Sequence, residues 1–371
     1  MCRTRKKVPL LSVPHSTRQN RPAPACLCTS TKAWIINEKP SDEVTSNTFK
    51  LVSQPLRELN DGEILVKVNY FSNDPAQRTW IDTSVVKDRA YGPCPDEGEA
   101  MPSGILGKVI ATKSDKFAES VLVTGFASWS QHVILSERAV QPARQVKGLP
   151  DSAAISVLGL TTLTAYCGLH NVGHIKPEHT VVISGAAGAT GSAAVQIAKK
   201  IVGCKNVIGI AGGPEKCAWV KKLGADECLD YRSKSFSEDL IKASEGYVDI
   251  YFDNVGGEIL NLMFVRMARF SRIIACGAIS SYNHSGPVNL KNHFDIIAMR
   301  ITMQGFIVLD FADSFGEAID AVSEAIEDGK FIAEGTEHKV EASFEEVPRT
   351  WQLLFSGGNQ VQGKLVTALK A

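Results

Sequence analysis

Three glycines spaced by three, Gly185, Gly188 and Gly191, lie in the string Ser184-Gly-Ala-Ala-Gly-Ala-Thr-Gly191. A short apolar run, Thr180-Val-Val-Ile-Ser184, precedes them, and a stretch with helical spacing, Thr190 to Val202, follows. Glycine lets a backbone turn tightly and approach a ligand closely, and the free N–H groups at the start of a helix then meet an anion. Strand, glycine turn and helix in that order form the place where the pyrophosphate of a dinucleotide binds, with Ala189 and Thr190 in the same turn. Glycines of this kind also serve close packing alone, so the reading depends on the elements around them.

The next strand selects between dinucleotides. Enzymes that use NAD place an Asp or Glu at its end, to bind the adenosine ribose. Here Val207-Ile-Gly-Ile-Ala211 runs into Gly212-Gly213 without an acid, Lys216 follows, and Tyr231-Arg232 close the third strand. A 2′-phosphate needs a cation and hydroxyl donors and is repelled by a carboxylate, so the pattern favours NADP. The bland alternative for Lys216 is a solvated helix residue. A catalytic zinc needs three Cys, His or Glu ligands and an open position. Ser72-Asn-Asp-Pro-Ala-Gln-Arg78 offers no Cys, no Gly-His-Glu follows, there is no C-x-x-C or H-E-x-x-H, and His132 and His170 read as structural residues. No metal site is expected, so a carbonyl would be polarised by a protein hydroxyl or by the cofactor ribose.

The positioning elements fall into two textures. From Ala33 to Val157 the chain is strand-like, with Glu63 to Ser72 after the Asp61-Gly62 turn, Gly107 to Ala111 and Ser130 to Leu135. Beyond Gly159, strands alternate with helices: strands at 180–184, 207–211, 227–230, 248–252, 272–276 and 301–309, and helices at 190–202, 215–223 and 235–243. Ser235 and Glu238 have capping-box spacing. Six such strands predict an α/β fold with a doubly wound parallel sheet of Rossmann type. Helices are expected at 313–327 and 344–355, and a last strand at 364–368 returns to the β-rich part. The domains read as 33–157, completed by about 340–371, and 158–339. The chain has 371 residues, 44% hydrophobic and 22% charged, enough to bury a sizeable core. Forty basic residues balance forty acidic ones, which gives no charge argument for nucleic acid. No uninterrupted run of 18 apolar residues suggests a membrane span. The nine irregularly placed cysteines fit reduced thiols and the cytoplasm. Residues 1–32 carry basic side chains, four prolines and no acid, and read as a disordered leader or as a mitochondrial transit peptide.

Several strings together resemble one family, the zinc-independent medium-chain dehydrogenases/reductases of the leukotriene B4 12-hydroxydehydrogenase, or prostaglandin and alkenal double-bond reductase, branch. They are Ser72 to Arg78, Leu163-Thr-Ala-Tyr166, Gly185 to Gly191, Phe252-Asp-Asn-Val-Gly-Gly257, Cys276-Gly-Ala-Ile-Ser-Ser-Tyr-Asn283 and Gly305-Phe-Ile-Val308, in family order from about Ala33 onward. The resemblance implies a GroES-like β-rich catalytic domain around a Rossmann domain, and NADPH-dependent reduction of the C=C bond of an enal or enone. It implies that Lys216 and Tyr231 hold the 2′-phosphate and that Asn254 lies near the nicotinamide. Cys276, Gly277, Ile279 and Asn359 are further cofactor contacts, and Tyr282 stands over the substrate carbonyl. Tyr70, Asp74, Arg78 and Tyr166 are pocket candidates. The chain departs from the family in Thr161-Thr162 and in Gly357 to Lys364, which is two residues longer than the family's Gly-x-Asn-x-Gly-Lys. A protonated phenol at Tyr282 would donate to the oxygen on which negative charge develops, a role the nicotinamide ribose hydroxyl could also fill. A zinc-free quinone reductase, a trans-acting enoyl reductase and a non-catalytic NADPH-binding protein remain alternatives. The expected partner is a small α,β-unsaturated carbonyl compound, and the expected assembly a homodimer.

Overall fold

The computed structural model describes residues 29–283, 290–356 and 361–370. Most of the basic leader and Asn359 lie outside the described residues.

Antiparallel pairing builds the first part. β1 (Ser30–Ile36) and β2 (Phe49–Pro55) form a two-stranded ribbon. β3 (Glu63–Ser72) is followed by the single turn α1 (Gln77–Trp80), then by β4 (Pro102–Thr112), β5 (Leu122–Ser128), β6 (His132–Ser136) and β7 (Val140–Pro142). β3 is the hub: one edge pairs with β4, and β6 takes the first half of the other edge. Its β-branched residues Ile64, Val66 and Val68 face a core in which Phe49, Trp129 and Trp351 pack ring against ring, with centroids 5.1 to 5.9 Å apart.

The second part starts with α2 (Leu160–Cys167). β8 (Thr180–Ser184), α3 (Ala189–Gln196), β9 (Asn206–Ala211), α4 (Pro214–Leu223), β10 (Glu227–Asp230), α5 (Phe236–Ala243), β11 (Val248–Asp253), α6 (Gly257–Phe264), β12 (Met267–Ala275), α7 (Phe294–Met299) and β13 (Thr302–Gly305) then alternate. The strands are all parallel, in the order β10-β9-β8-β11-β12-β13. Val181, Val182 and Ile183 are fully buried, because helices cover both faces of such a sheet. α8 (Phe315–Glu327) leads to β14 (Glu337–Ala342), α9 (Val347–Gln352) and β15 (Lys364–Leu369). β15 pairs with the second half of β3, so the chain closes the β-rich sheet that it began.

Three local expectations are corrected. The sixth parallel strand ends at Gly305 rather than near Leu309, because its only described partner, β12, ends at Ala275 opposite Gly305. Ser235 does not cap α5: its backbone lies at φ −88°, ψ 4°, and its hydroxyl donates to Asp239 at 2.7 Å. A capping box forms instead at Ser343 and Glu346. The single α-helix expected at 344–355 is α9 flanked by 3₁₀ turns at Phe344–Glu346 and Leu353–Phe355, with Pro348 in the first turn of α9, where its missing N–H is tolerated.

Candidate functional site

β8 lies between β9 and β11, where the strand order reverses, and a crevice opens at the carboxyl ends of the strands on either side of such a point. The turn after β8 runs into that crevice. Gly185 has φ +59°, a conformation that favours glycine. A Cβ on Gly191 would lie 2.1 Å from the Gly185 carbonyl oxygen, so only glycine lets α3 start against the turn. The first-turn N–H groups of α3, at Ala189 to Gly191, lack partners within the helix and carry its positive end. Gly188 is exposed at the tip.

A buried carboxylate ties this turn to the facing loops. Asp253, 2% exposed at the end of β11, accepts hydrogen bonds on Oδ1 from Ser184 Oγ at 3.1 Å, Tyr251 Oη at 2.8 Å and the N–H groups of Val255 and Gly256 at 3.0 and 2.9 Å. Burial raises the carboxyl's affinity for its proton, and those donors oppose the shift. Asn254 donates through Nδ2 to the Ser184 carbonyl at 2.7 Å and through its backbone N–H to Ser184 Oγ at 3.0 Å. The Asp253 carbonyl accepts the N–H groups of Cys276 and Gly277 at 2.9 and 3.0 Å. Ile279 donates to the Asn254 carbonyl at 3.3 Å, and Ser280 Oγ to that of Val255 at 2.6 Å.

Tyr282 sits on this framework. Its Oη accepts the Ala278 N–H at 3.2 Å, which leaves the phenol proton free to donate. A Cβ on Gly277 would lie 3.1 Å from that oxygen and 3.2 Å from the Asn254 carbonyl oxygen. Burial pushes the phenol up to about 12, and the Tyr91 hydroxyl of the β-rich part is close enough to add to the shift. Cys276 is likewise pushed up to about 12, by burial and then by the Asp253 charge.

At the other end of the crevice, the Tyr231 ring covers the end of β9, where a Cβ on Gly212 would lie 2.8 Å from the ring. Lys216 is half-buried, and burial followed by the charge of Arg232 lowers the affinity of its amine for a proton. The nearby acid, Asp230, accepts the N–H groups of Gly213 and Arg232 at 2.8 and 3.0 Å, so it is engaged in the turn. Two cations and a phenol around a Gly-Gly turn fit a phosphorylated adenosine ribose, and the glycine cradle fits a pyrophosphate.

The other candidates separate. Tyr166 is taken out of the pocket set: its hydroxyl donates to Glu317 at 2.9 Å and its ring stacks on His170 at 4.2 Å, inside the core between α2 and α8. Arg78 is fully buried, paired with Asp82 at 2.8 Å and bonded to the Asp42 carbonyl, so it holds the turn after β3 together. Tyr70 packs on Leu106, Ile155 and Val366. Asp74 pairs with Lys364. Sequence reasoning missed Asp253, although it lies inside the Asp-Asn-Val-Gly-Gly string, and missed Tyr91, which sits among Gly and Pro without periodicity. Among the described residues, no three His, Cys, Asp or Glu side chains are grouped as a zinc site requires. No helix among them is long and apolar enough to cross a membrane.

Residues 32–143 match a family model described as the N-terminal domain of oxidoreductase, and residues 189–324 match one described as zinc-binding dehydrogenase. The zinc of that description does not fit the donor set here. Prostaglandin reductase 1 of Rattus norvegicus is 34% identical over 88% of this chain and 96% of its own. The NADPH-dependent curcumin reductase of Escherichia coli is 30% identical over 88% of this chain and 94% of its own. The crystal structure of CurA in complex with NADPH from Vibrio vulnificus superposes with a TM-score of 0.83 at 30% identity, covering 92% of this chain and 99% of CurA.

The shifted phenol predicts a pH profile. Only the neutral phenol donates, and burial moves its ionisation up to about 12, so the donor persists well above the ordinary tyrosine value of about 10. The profile of kcat/KM should show no alkaline limb near 10. A limb there that vanishes in Tyr282→Phe would contradict the burial argument.

Proposed function

The chain belongs to the zinc-independent medium-chain dehydrogenases/reductases, in the branch of the prostaglandin and curcumin reductases, and from that footing we propose that it reduces the C=C bond of α,β-unsaturated aldehydes and ketones. The chain is an NADPH-dependent oxidoreductase. The observation that carries the finer reading is the Tyr282 phenol, half-buried and protonated beside the glycine-lined crevice, whose oxygen accepts the Ala278 N–H and whose own proton is left to donate. NADPH held there would supply the hydride that the β-carbon of the conjugated system needs.

The residues divide the remaining work. The Gly185–Gly191 turn and the start of α3 receive the pyrophosphate, and Lys216, Tyr231 and Arg232 receive the 2′-phosphate. Asn254, Cys276, Gly277 and Ile279 wall the nicotinamide end. As negative charge develops on the substrate carbonyl oxygen, the Tyr282 hydroxyl donates to it. The donor is held before the reaction begins, so little reorganisation is needed when charge appears. Tyr282 or water then protonates the α-carbon.

A panel of 2-alkenals, enones and quinones, assayed by NADPH consumption in buffer with a chelator, tests this. Enals and enones should be turned over in the presence of the chelator, and Tyr282→Phe should lower enone kcat by about 10²–10³, the usual cost of one such donor. Quinones should suffer less, since they accept hydride with less help. An enone kcat within about twofold of native removes Tyr282 from the chemistry. Turnover of quinones alone makes the chain a quinone reductase instead.

Cofactor selectivity rests on the 2′-phosphate site. Lys216→Ala should raise the KM for NADPH and leave NADH use nearly unchanged. Equal efficiency of the native enzyme with both cofactors would refute the assignment.

A homodimer is the assembly we propose. β13 pairs with β12 on one side, and every residue of Thr302–Gly305 is exposed. Phe270, Phe294, Ile297, Met303 and Leu309 are also exposed, between 41% and 72%. An open strand edge beside apolar side chains suits antiparallel pairing with a second copy across a two-fold axis. Sedimentation should find a dimer that Met303→Lys with Ile297→Asp converts to a monomer. A monomeric native chain at micromolar concentration would rule the dimer out.

A further inference from the structure

We infer that Lys364 and Asp74 are a positioning pair that registers the phosphate turn against the β-rich wall of the crevice, and so sets where substrate meets cofactor. The part concerning substrate rests on the reading above. Lys364 is 3% exposed. A buried ammonium is costly unless it is paired and fully hydrogen-bonded, and an apolar side chain would fill the same space without that cost. Its Nζ pairs with Asp74 Oδ1 and donates to the Asn73 carbonyl at 3.0 Å. Both partners belong to the turn that follows β3. The second carboxylate oxygen of Asp74 accepts Ser72 Oγ at 2.6 Å, which fixes the carboxylate's orientation.

The preceding residue holds the opposite wall. The Gly363 N–H donates to the Ala187 carbonyl at 2.9 Å, and Gly363 forms a parallel bridge with Gly188 at the tip of the phosphate turn. This approach requires glycine: φ is +69°, and a Cβ would lie 2.2 Å from the Thr336 carbonyl oxygen. Two successive residues, with Cα atoms about 3.8 Å apart, therefore grip the cofactor turn and the β-rich turn. The cavity between Lys364, Ser192 and Gln196 of α3 and Thr162 of α2 measures about 10 Å³, at the threshold for one water. The walls meet through packed side chains, so a shift of one reaches the other. The arrangement gives Asp74 a positioning role in place of substrate contact.

Hydrogen exchange of the full-length chain with and without NADPH tests the coupling without any substrate. In the native protein, NADPH should slow exchange both at 184–196 and at 72–80. In Lys364→Met, protection should persist at 184–196 and be lost at 72–80, and Lys364→Arg should restore it. Asp74→Asn, which keeps the lysine and the shape of its partner, should behave like Lys364→Met and serves if that variant does not fold. In the panel assay, the uncoupled variants should lose at least about tenfold in kcat while NADPH affinity changes by less than about threefold. Protection at 72–80 that survives in both folded variants overturns the proposal, as does a fall in NADPH affinity that accounts for the fall in kcat. If exchange uncouples as expected but no enal or enone is turned over by the native enzyme, the substrate reading fails and the positioning pair stands.

Discussion

The site hangs on one oxygen atom. Asp253 Oδ1 accepts from the strand before the phosphate turn, from its own strand and from the two amides that begin the loop toward α6, while the carbonyl of the same residue receives the loop that carries Tyr282. Parallel strands end in unpaired backbone, and three such ends meeting at one crevice would otherwise depend on solvent for their hydrogen bonds. A carboxylate concentrates acceptor capacity where the donors converge. Its burial is costly, and the donors around it offset that cost only while the loops keep their places. The geometry of the phosphate turn, of Asn254 and of Tyr282 is thus one cooperative property.

The parts of this fold with the strongest local signals were the ones legible in the sequence. The strands at 180–184 and 227–230 have the expected ends, because a strand buried on both faces is a short apolar run and the turns beside it are rich in glycine or polar residues. The order of strands and helices likewise implied the doubly wound sheet. Edges were harder: β13 ends where its neighbour ends, a fact held by β12 and invisible in the apolar run 306–309. Tyr166 shows the same limit for side chains, since an aromatic residue in a helical stretch looks alike whether it lines a pocket or a core. Lys364 and its partner stand 290 residues apart, and nothing local to either marks the pair.

The framework also bears on how an enzyme can handle electrophiles beside a thiol. Conjugated carbonyl compounds alkylate thiolates, and Cys276 borders the proposed nicotinamide site. Burial holds it as the thiol, and the Asp253 charge works in the same direction. The carboxylate that assembles the loops therefore also keeps the neighbouring sulfur poorly nucleophilic.

β15 has a consequence for the order in which the molecule can be built. The six parallel strands are contiguous in the chain, apart from the helices between them, and can assemble as they leave the ribosome. The β-rich sheet can be started in that way but not finished: the second half of one edge of β3 waits for a partner made from residues 364–369, after the whole nucleotide-binding sheet. Pairing so distant in sequence is slow to form, and the exposed edge of β3 is meanwhile a surface for wrong partners. The half that is synthesised first is completed last, and the seam at Gly363 and Lys364 is where that closure reaches the cofactor turn.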